Sequence, residues 1–297
     1  MKVRIGFGLG TRSLTNDERF GPFVDDLERL GFDSLWLSER IGGESPDPVV
    51  GMSYAAGRTR RLKFGTSVMV LSGRNPVLVA KALASLDRLS KGRLLPAFGL
   101  GVADPHEQRA FGIERTARAA WFDEALPLIR RLWTEDHVDH DGAHFHLEGI
   151  TVDPKPTQKP LDCWLGGIAP SELRRVGRLG DGWLPSFITP GEIAAARRVI
   201  EDTADAHHRA IDPEHFGVLI GYGVGPVPDR LLAVLARRRP DLDPRDLVAD
   251  GLPALADRIS SFVEQGTSKF VVLPFGEPPD WTTHLEAVAA AVLALQT

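Results

Sequence analysis

Eight short apolar stretches alternate with helical patterns along this 297-residue chain, and this alternation limits the fold more than any other feature. The strand candidates are residues 3–10, 34–39, 62–71, 93–101, 162–167, 182–187, 215–225 and 269–275. The helix candidates are residues 18–30, 48–58, 76–89, 115–133, 170–179, 190–210, 229–239, 252–265 and 281–295. Pro76, Pro170 and Pro190 stand at first helical positions, where the missing N–H of proline costs nothing. This pattern predicts an α/β fold, a (β/α)8 TIM barrel, with an open doubly wound sheet as the alternative.

The connection after the fourth strand is longer than a minimal barrel needs. It runs over about residues 102–161 and carries Asp141-Gly142 between two short polar–apolar runs, which predicts a hairpin outside the barrel. No internal repeat or low-complexity tract is present. We therefore expect one domain over residues 1–297, with this segment as an insertion.

The composition argues against several classes of partner. A formal net charge of −5 gives no general attraction to nucleic acid or to an anionic membrane. No apolar stretch reaches the roughly 18 residues that a membrane helix needs, and the N-terminus is strand-like, so we expect a cytoplasmic protein. Cys163 is the only cysteine, which excludes an internal disulfide and indicates a packed core thiol. A small-molecule substrate is the expected partner, with a homodimer as a further expectation.

In a TIM barrel the functional groups follow the carboxyl ends of the strands. Those ends are rich in glycine here and contain few ionisable side chains, so a ligand can lie against the backbone. The sequence has no nucleophile elbow, no HExxH zinc motif and no Walker phosphate-binding motif. Such a mouth suits a large flat cofactor that carries the chemistry itself.

Several histidines are spaced like the ligands of a metal ion, but simpler explanations account for them. His137, His140, His144 and His146 cross the predicted hairpin, where alternate side chains point to opposite faces, and we expect no metal site. His106 and Glu107 could reach the mouth after strand four, but we interpret them as polar residues in the first turn of a helix.

Four stretches, WLSER, GTSVMVLSGRNP, LDRLSKGRLLPAFGLG and LGGIAPSELRRVGRLGDGWLP, together resemble the luciferase-like monooxygenase superfamily, and more closely its coenzyme F420-dependent oxidoreductases. The resemblance runs in order over nearly the whole chain. It implies a barrel that holds the deazaflavin F420, or alternatively FMN, at its carboxyl-end mouth. It also implies a cis peptide bond at Ser67–Val68, where strand three forms a bulge against one face of the ring.

The resemblance also implies which residues bind the cofactor. The candidates are Ser67, Val68, Gly99, Gly101, Gly166, Gly167 and Ser171. The loop at 165–171 resembles a phosphate loop, and residues 223–230 are a competing candidate for the same role. The helix that follows carries Arg174, Arg175 and Arg178, which could meet an acidic coenzyme tail or simply form an exposed face.

Glu39 and Arg40 are the candidate catalytic residues. Glu39 matches an acidic family residue near the ring, and Arg40 stands where several F420-dependent dehydrogenases and reductases have histidine. Arginine stays protonated near neutral pH, so it can stabilise negative charge but cannot act as a base. We therefore expect an F420-dependent reductase of a small, largely apolar carbonyl compound or conjugated alkene. The alternatives are an FMN-dependent monooxygenase, a flavin-binding protein without turnover, and a hydrolase that pairs Glu39 with Asp104 or Glu107.

Overall fold

The computed structural model describes residues 1–10, 17–102 and 104–297. The strands are β1 (Arg4–Leu9), β2 (Ser34–Leu37), β3 (Lys63–Thr66), β4 (Met69–Val70), β5 (Leu94–Leu95), β6 (Ala97–Gly99), β7 (Val138–Asp141), β8 (His146–Ile150), β9 (Trp164–Leu165), β10 (Gly182–Trp183), β11 (Gly217–Gly223), β12 (Val248–Ala249) and β13 (Lys269–Phe275). The helices are α1 (Asp17–Leu30), α2 (Pro48–Arg58), α3 (Pro76–Leu89), α4 (Pro105–Ala110), α5 (Arg118–Thr134), α6 (Pro170–Leu179), α7 (Pro190–Ala206), α8 (Asp229–Arg238), α9 (Gly251–Glu264) and α10 (Trp281–Val292).

Parallel pairing follows the order of the chain, as a TIM barrel requires. One sheet has the order β12-β11-β13-β1-β2-β3-β5 and a second has the order β10-β9-β6-β4. Two isolated parallel bridges, Trp183 with Phe216 and Ser186 with Leu219, carry the pairing from the sixth strand to the seventh. The last strand, β13, pairs with the first, β1. This arrangement is the TIM-barrel type and not the doubly wound alternative.

The predicted third and fourth strands are each divided into two. The third is interrupted at Ser67–Val68, where the peptide bond is cis as expected, so β3 and β4 join different sheets. The fourth is divided at Pro96, which has no backbone N–H to donate to a ladder. The helix expected at 115–133 begins three residues later, at Arg118. The short helix α4 before it is not among the helix candidates, but His106 and Glu107 lie in its first turn, as interpreted from the sequence.

The long fourth connection contains the expected hairpin. Strands β7 and β8 pair antiparallel, with Asp141 opposite His146. The Glu124 carboxylate on α5 accepts hydrogen bonds from the backbone N–H groups of His144 and Phe145, at 3.0 Å for each shortest contact. These bonds attach the hairpin to the helix layer of the barrel.

A cluster of buried apolar side chains in or next to five of the strands fills the interior of the barrel. Trp36, Ala97, Trp164, Leu184 and Val271 form one buried cluster, and Val68 packs against it from the mouth side. Cys163 is fully buried, which confirms the prediction of a core thiol. Within the described residues, no helix combines the length and apolarity needed to cross a membrane.

At the amino ends of the strands the charged groups form close ion pairs. The Asp33 carboxylate lies 2.5 Å from Nζ of Lys269 and 3.3 Å from Nζ of Lys63. The Asp181 carboxylate lies 2.5 Å from an Nη of Arg130 and 2.9 Å from one of Arg209. We call these two groups the amino-end pairs.

Candidate active site

A cavity of about 540 Å³ opens at the carboxyl ends of the barrel strands. Its walls come from the segments that follow the second to seventh strands, together with the start of α5 and the end of α8. Its lining includes the predicted site residues Glu39, Arg40, Ser67, Val68, Gly99, Gly101, Gly166 and Gly167. Ser171, the remaining predicted residue, is exposed on α6 and is not part of the lining. Eight of the nine predicted site residues therefore lie around one cavity, and Ser171 lies outside its lining.

The Ser67–Val68 segment forms part of the cavity wall beside β6. Ser38 Oγ lies 3.1 Å from the Ser67 carbonyl oxygen and 3.2 Å from Ser67 Oγ, so the two serines connect the ends of the second and third strands. A Cβ atom at Gly99 would lie only 2.6 Å from Val68 Cγ2. Glycine is required at position 99 for this close approach.

Glu39 lines the cavity, but its carboxylate is engaged with the third strand. It accepts a 2.7 Å hydrogen bond from the backbone N–H of Val70 and pairs with the Arg74 guanidinium. Arg74 Nε in turn donates to the Val70 carbonyl oxygen at 2.9 Å. Burial raises the pKa of Glu39 and outweighs the opposing effects of Arg74 and the Val70 N–H. These contacts fit a residue that positions the strand better than one that reacts with a ligand.

Arg40 is held by Glu107, a residue that we had interpreted as an ordinary first-turn side chain. Arg40 Nε donates to Glu107 Oε1 at 3.2 Å, and the backbone N–H groups of Ile41 and Gly42 also point to the Glu107 carboxylate, at 3.3 and 3.4 Å. Glu107 is buried and lines the cavity. The loop after the second strand is therefore anchored on α4, which fixes Arg40 at the cavity wall.

The three carboxylates of the hydrolase alternative each have separate partners. Glu39 is bound to Arg74, and Glu107 is bound to Arg40. Asp104 caps α4 by accepting a 2.8 Å hydrogen bond from the His106 N–H, which lowers the pKa of Asp104. The contacts thus favour structural roles over a carboxylate pair open to a glycosidic bond.

Arg118 is the most unusual charged group in the cavity. One Nη donates to the carbonyl oxygens of Leu100 and Val102, at 2.8 and 3.0 Å. Its Nε is buried and has no hydrogen-bond partner, and no carboxylate of the described residues pairs with it. Only 8% of the residue is exposed. Burial and the neighbouring charge of Arg115 both lower the pKa of Arg118, but arginine stays charged near neutral pH.

Burying a cation without a counter-ion lowers the stability of the protein, unless a bound anion neutralises the charge. Exposed Arg115 lines the same part of the cavity. Sequence reasoning missed both residues. The available signal was the position of Arg118 on α5, four residues before buried Phe122 on the apolar face of that helix.

The predicted phosphate loop is already bonded to a carboxylate of the chain. Glu172 Oε2 accepts hydrogen bonds from the backbone N–H groups of Ile168 and Ala169, each at 3.0 Å, where an external anion would also bind. Gly167 has φ +99°, and a Cβ there would lie 2.6 Å from the Glu172 carboxyl. An anion could use these two amides only after the Glu172 side chain moves. The competing loop at 223–230 contributes no residue to the lining.

The three arginines of α6 differ in their surroundings. Arg175 Nε and an Nη of Arg178 bind the two oxygens of Asp123, at 2.6 and 2.8 Å. Arg175 lines the cavity, whereas Arg174 is exposed and does not. The expectation that this helix supplies free positive charge to an acidic tail is therefore weakened, because two of the three arginines already share the Asp123 carboxylate.

The hairpin histidines have ordinary polar partners. His140 lies 3.0 Å from Glu124, and His146 lies 2.7 Å from Asp141. In the part of the chain that the structure describes, no group of three or more histidine, cysteine or acidic side chains could hold a metal ion.

Comparison with known proteins places this geometry in a family. The sequence profile described as luciferase-like monooxygenase matches residues 7–254. The F420-dependent glucose-6-phosphate dehydrogenase of Kineococcus radiotolerans is 32% identical over 182 residues, which are 56% of this chain and 53% of that protein. The chain thus spans about half the length of the curated relatives it matches.

Two solved structures share the fold across essentially the whole chain. One is an F420-dependent secondary alcohol dehydrogenase in complex with an F420–acetone adduct, with a TM-score of 0.82, 19% identity and coverage of 100% of both chains. The other is the FMN complex of the oxygenating constituent of 3,6-diketocamphane monooxygenase from Pseudomonas putida, with a TM-score of 0.83, 17% identity and coverage of 100% and 99%. Since the profile covers most of the sequence, the chain belongs to the luciferase-like monooxygenase family.

Proposed function

We propose that this chain is an F420-dependent oxidoreductase that reduces a small carbonyl compound or conjugated alkene. Arg118 carries the proposal, because it is a buried cation in the cavity wall that lacks a counter-ion among the described residues. F420 has a phosphodiester and a carboxylate-bearing tail, so it offers the anions that this site needs. The relative from Kineococcus radiotolerans is named as F420-dependent, which supports the same choice.

The cavity wall beside Leu100, whose carbonyl accepts a hydrogen bond from Arg118, suits the flat ring of such a cofactor. Val68 and Gly99 form a smooth wall, and the ion pair of Glu39 with Arg74 holds the adjoining Val70 in place. When bound in reduced form, F420 supplies a hydride at C5. The chain would orient the ring and the substrate and keep both in a partly buried cavity.

Arg40 supports the direction of the reaction. The substrate would gain a hydride at carbon and a proton from water at oxygen, while the cofactor is oxidised. Arg40 can stabilise the negative charge that develops on that oxygen, and Glu107 holds its guanidinium at the wall. None of the described lining residues is histidine, the usual base for oxidising an alcohol.

FMN is the second candidate cofactor. The monooxygenase from Pseudomonas putida has the same fold and is described with FMN. The phosphate of FMN could also meet Arg118. A preference for F420 rests on its additional carboxylates, which would interact with exposed Arg115.

A fluorescence titration of the purified chain with F420 and with FMN tests the cofactor. We expect tighter binding of F420 at low salt, with a preference that weakens as salt screens the charges. FMN binding of equal or greater affinity at low salt would favour the monooxygenase alternative.

A turnover screen tests the direction. Reduced F420 is mixed with ketones and enones, and oxidised F420 with alcohols and sugar phosphates, including glucose 6-phosphate. We expect turnover in the first set, and we expect Arg40→Ala to reduce the chemical rate more than F420 binding. Turnover confined to the second set would refute the role given to Arg40.

The cytoplasmic location, the homodimer and the single domain over residues 1–297 remain predictions. The net charge of −5 continues to argue against a nucleic-acid partner.

A further inference from the structure

Another arginine that forms no ion pair with the side chains that the structure describes lies on a different wall of the cavity. Arg238 is the last residue of α8, the helix that follows the seventh strand. The ends of the sixth and seventh strands lie across the mouth from the second and third in an eight-stranded barrel. Arg238 and Arg40 therefore belong to opposite sides of the cavity.

The neighbouring residue fixes the place of Arg238. The Arg239 guanidinium donates to the Phe187 carbonyl oxygen at 2.6 Å and pairs with Glu192 at 2.6 Å and with Asp241 at 2.7 Å. Phe187 follows the sixth strand, and Glu192 lies in the first turn of α7. Arg239 thus attaches the end of α8 to the barrel, and its guanidinium is fully engaged in these structural contacts.

Arg238 makes no such contacts. Its Cζ lies 5.0 Å from the centre of the Phe187 ring, on which the guanidinium rests, and it pairs with no carboxylate among residues 18–102 and 104–297. Basic residues at a helix C-terminus often serve only the helix dipole. Arg237 and Arg238 are both exposed, but only Arg238 lines the cavity and rests on the Phe187 ring, whereas Arg237 fits that explanation.

We propose that Arg238 binds an anionic group, a carboxylate or a phosphate, on the substrate. This inference rests on the proposed function, because it assigns the acidic part of the cofactor to Arg118 and leaves Arg238 for the second ligand. It changes the expectation of a largely apolar substrate to an oxo compound with an anionic group at the end remote from the reacting carbon. A hydride and a proton convert its carbonyl to a hydroxyl, reduced F420 becomes oxidised F420, and the anionic group is unchanged.

The test compares short-chain oxo acids with their methyl esters, which keep the skeleton and remove the charge. Wild type, Arg238→Gln and the control Arg237→Gln are assayed with reduced F420. We expect wild type to prefer the acids by roughly tenfold in kcat/KM, the range of one charge-assisted hydrogen bond. Arg238→Gln should lose this preference mainly through KM, and Arg237→Gln should keep it.

Two binding measurements separate this inference from the proposed function. Calorimetry measures the oxo acids and inorganic phosphate against the chain without cofactor, and the relative affinity of the two anions shows which is the natural group. A fluorescence titration measures F420 binding to both variants, which should match wild type.

Three results would overturn the inference. Anion binding that is equal in wild type and Arg238→Gln, or an undiminished preference for acids in that variant, would remove Arg238 from the substrate site. Weaker F420 binding in Arg238→Gln would assign the residue to the cofactor. If F420 does not bind wild type at all, the proposed function fails, whatever calorimetry shows for the anions.

Discussion

The two ends of the barrel differ in how completely their charged side chains are paired. At the amino end, the carboxylates of Asp33 and Asp181 are each surrounded by two close cations. At the carboxyl end, Arg115, Arg118 and Arg238 line one cavity and form no ion pair with a described carboxylate. Arginines and carboxylates occur at both ends, so these residue types alone do not distinguish them.

From this difference we expect the paired charges at the amino end to serve the fold and the unpaired arginines at the carboxyl end to serve a ligand. Paired buried charges satisfy each other and need nothing from outside. A buried guanidinium with an unpaired N–H donor destabilises the protein through its lost hydration, and a bound anion would offset this cost. The comparison predicts that substitutions at the amino end change stability, whereas substitutions at the carboxyl end change binding.

The largest effect should come from Lys269→Met in the amino-end pairs. Asp33 would keep Lys63 at 3.3 Å but lose its closest cation, and we expect a loss of about 3 kcal/mol in the free energy of unfolding. Urea unfolding measures it, with exposed Lys2→Met as the control that should stay within about 0.5 kcal/mol. An unchanged midpoint would break the comparison at this end.

The pH dependence of the same pair has a defined sign. Burial acts to raise the pKa of Asp33, but Lys269 and Lys63 outweigh it and the pKa is lowered. The stabilisation is therefore present above the unfolded pKa of about 3.9 and is lost as the pH falls through the lowered folded value. The difference in stability between wild type and Asp33→Asn should shrink in that range.

A smaller effect, on binding and not on stability, is expected for Arg118→Gln. The dissociation constant for F420 should rise by roughly tenfold to a hundredfold, the equivalent of one charge-assisted hydrogen bond. The melting temperature should stay the same or rise, because the variant removes a buried charge without a counter-ion. Arg174→Gln on exposed α6 is the control. A fall in melting temperature with unchanged F420 affinity would show that Arg118 serves the fold.

The smallest effect should come from Glu172→Gln at the loop before α6. If Gly166, Gly167 and the adjoining amides receive the coenzyme phosphate, removing the Glu172 charge should strengthen F420 binding a few-fold. The weaker cap should cost about 0.5–1 kcal/mol of stability. Exposed Glu264→Gln is the control. Unchanged F420 affinity would move the phosphate away from this loop and toward Arg118.

The sequence predicted the parts of the molecule that depend on local patterns. Apolar runs and first-turn prolines located the strands and helices, and the Asp141-Gly142 turn located the hairpin. The cis bond at Ser67–Val68 came from the family resemblance and not from the residue pattern, because an uninterrupted strand had the same composition.

The charges of the site were harder to predict, because pairing depends on distant segments. Asp123 binds Arg175 and Arg178 across a gap of more than fifty positions, which made these two arginines look freer in sequence than they are. Arg238 stands in a run of three arginines whose members look alike until the fold separates them. The sequence did not reveal the role of Glu107, because acidic residues are common in the first turn of a helix. In the structure Glu107 anchors the loop that carries Arg40.

The close approach of Val68 to Gly99 has a consequence for how this chain can vary. An alanine at position 99 would collide with the Val68 side chain, so the two positions cannot change independently. Variants that shorten position 68 first would open the way to a larger residue at 99, whereas the reverse order passes through a damaged intermediate. Directed evolution of the cavity should therefore acquire the change at 68 before the change at 99.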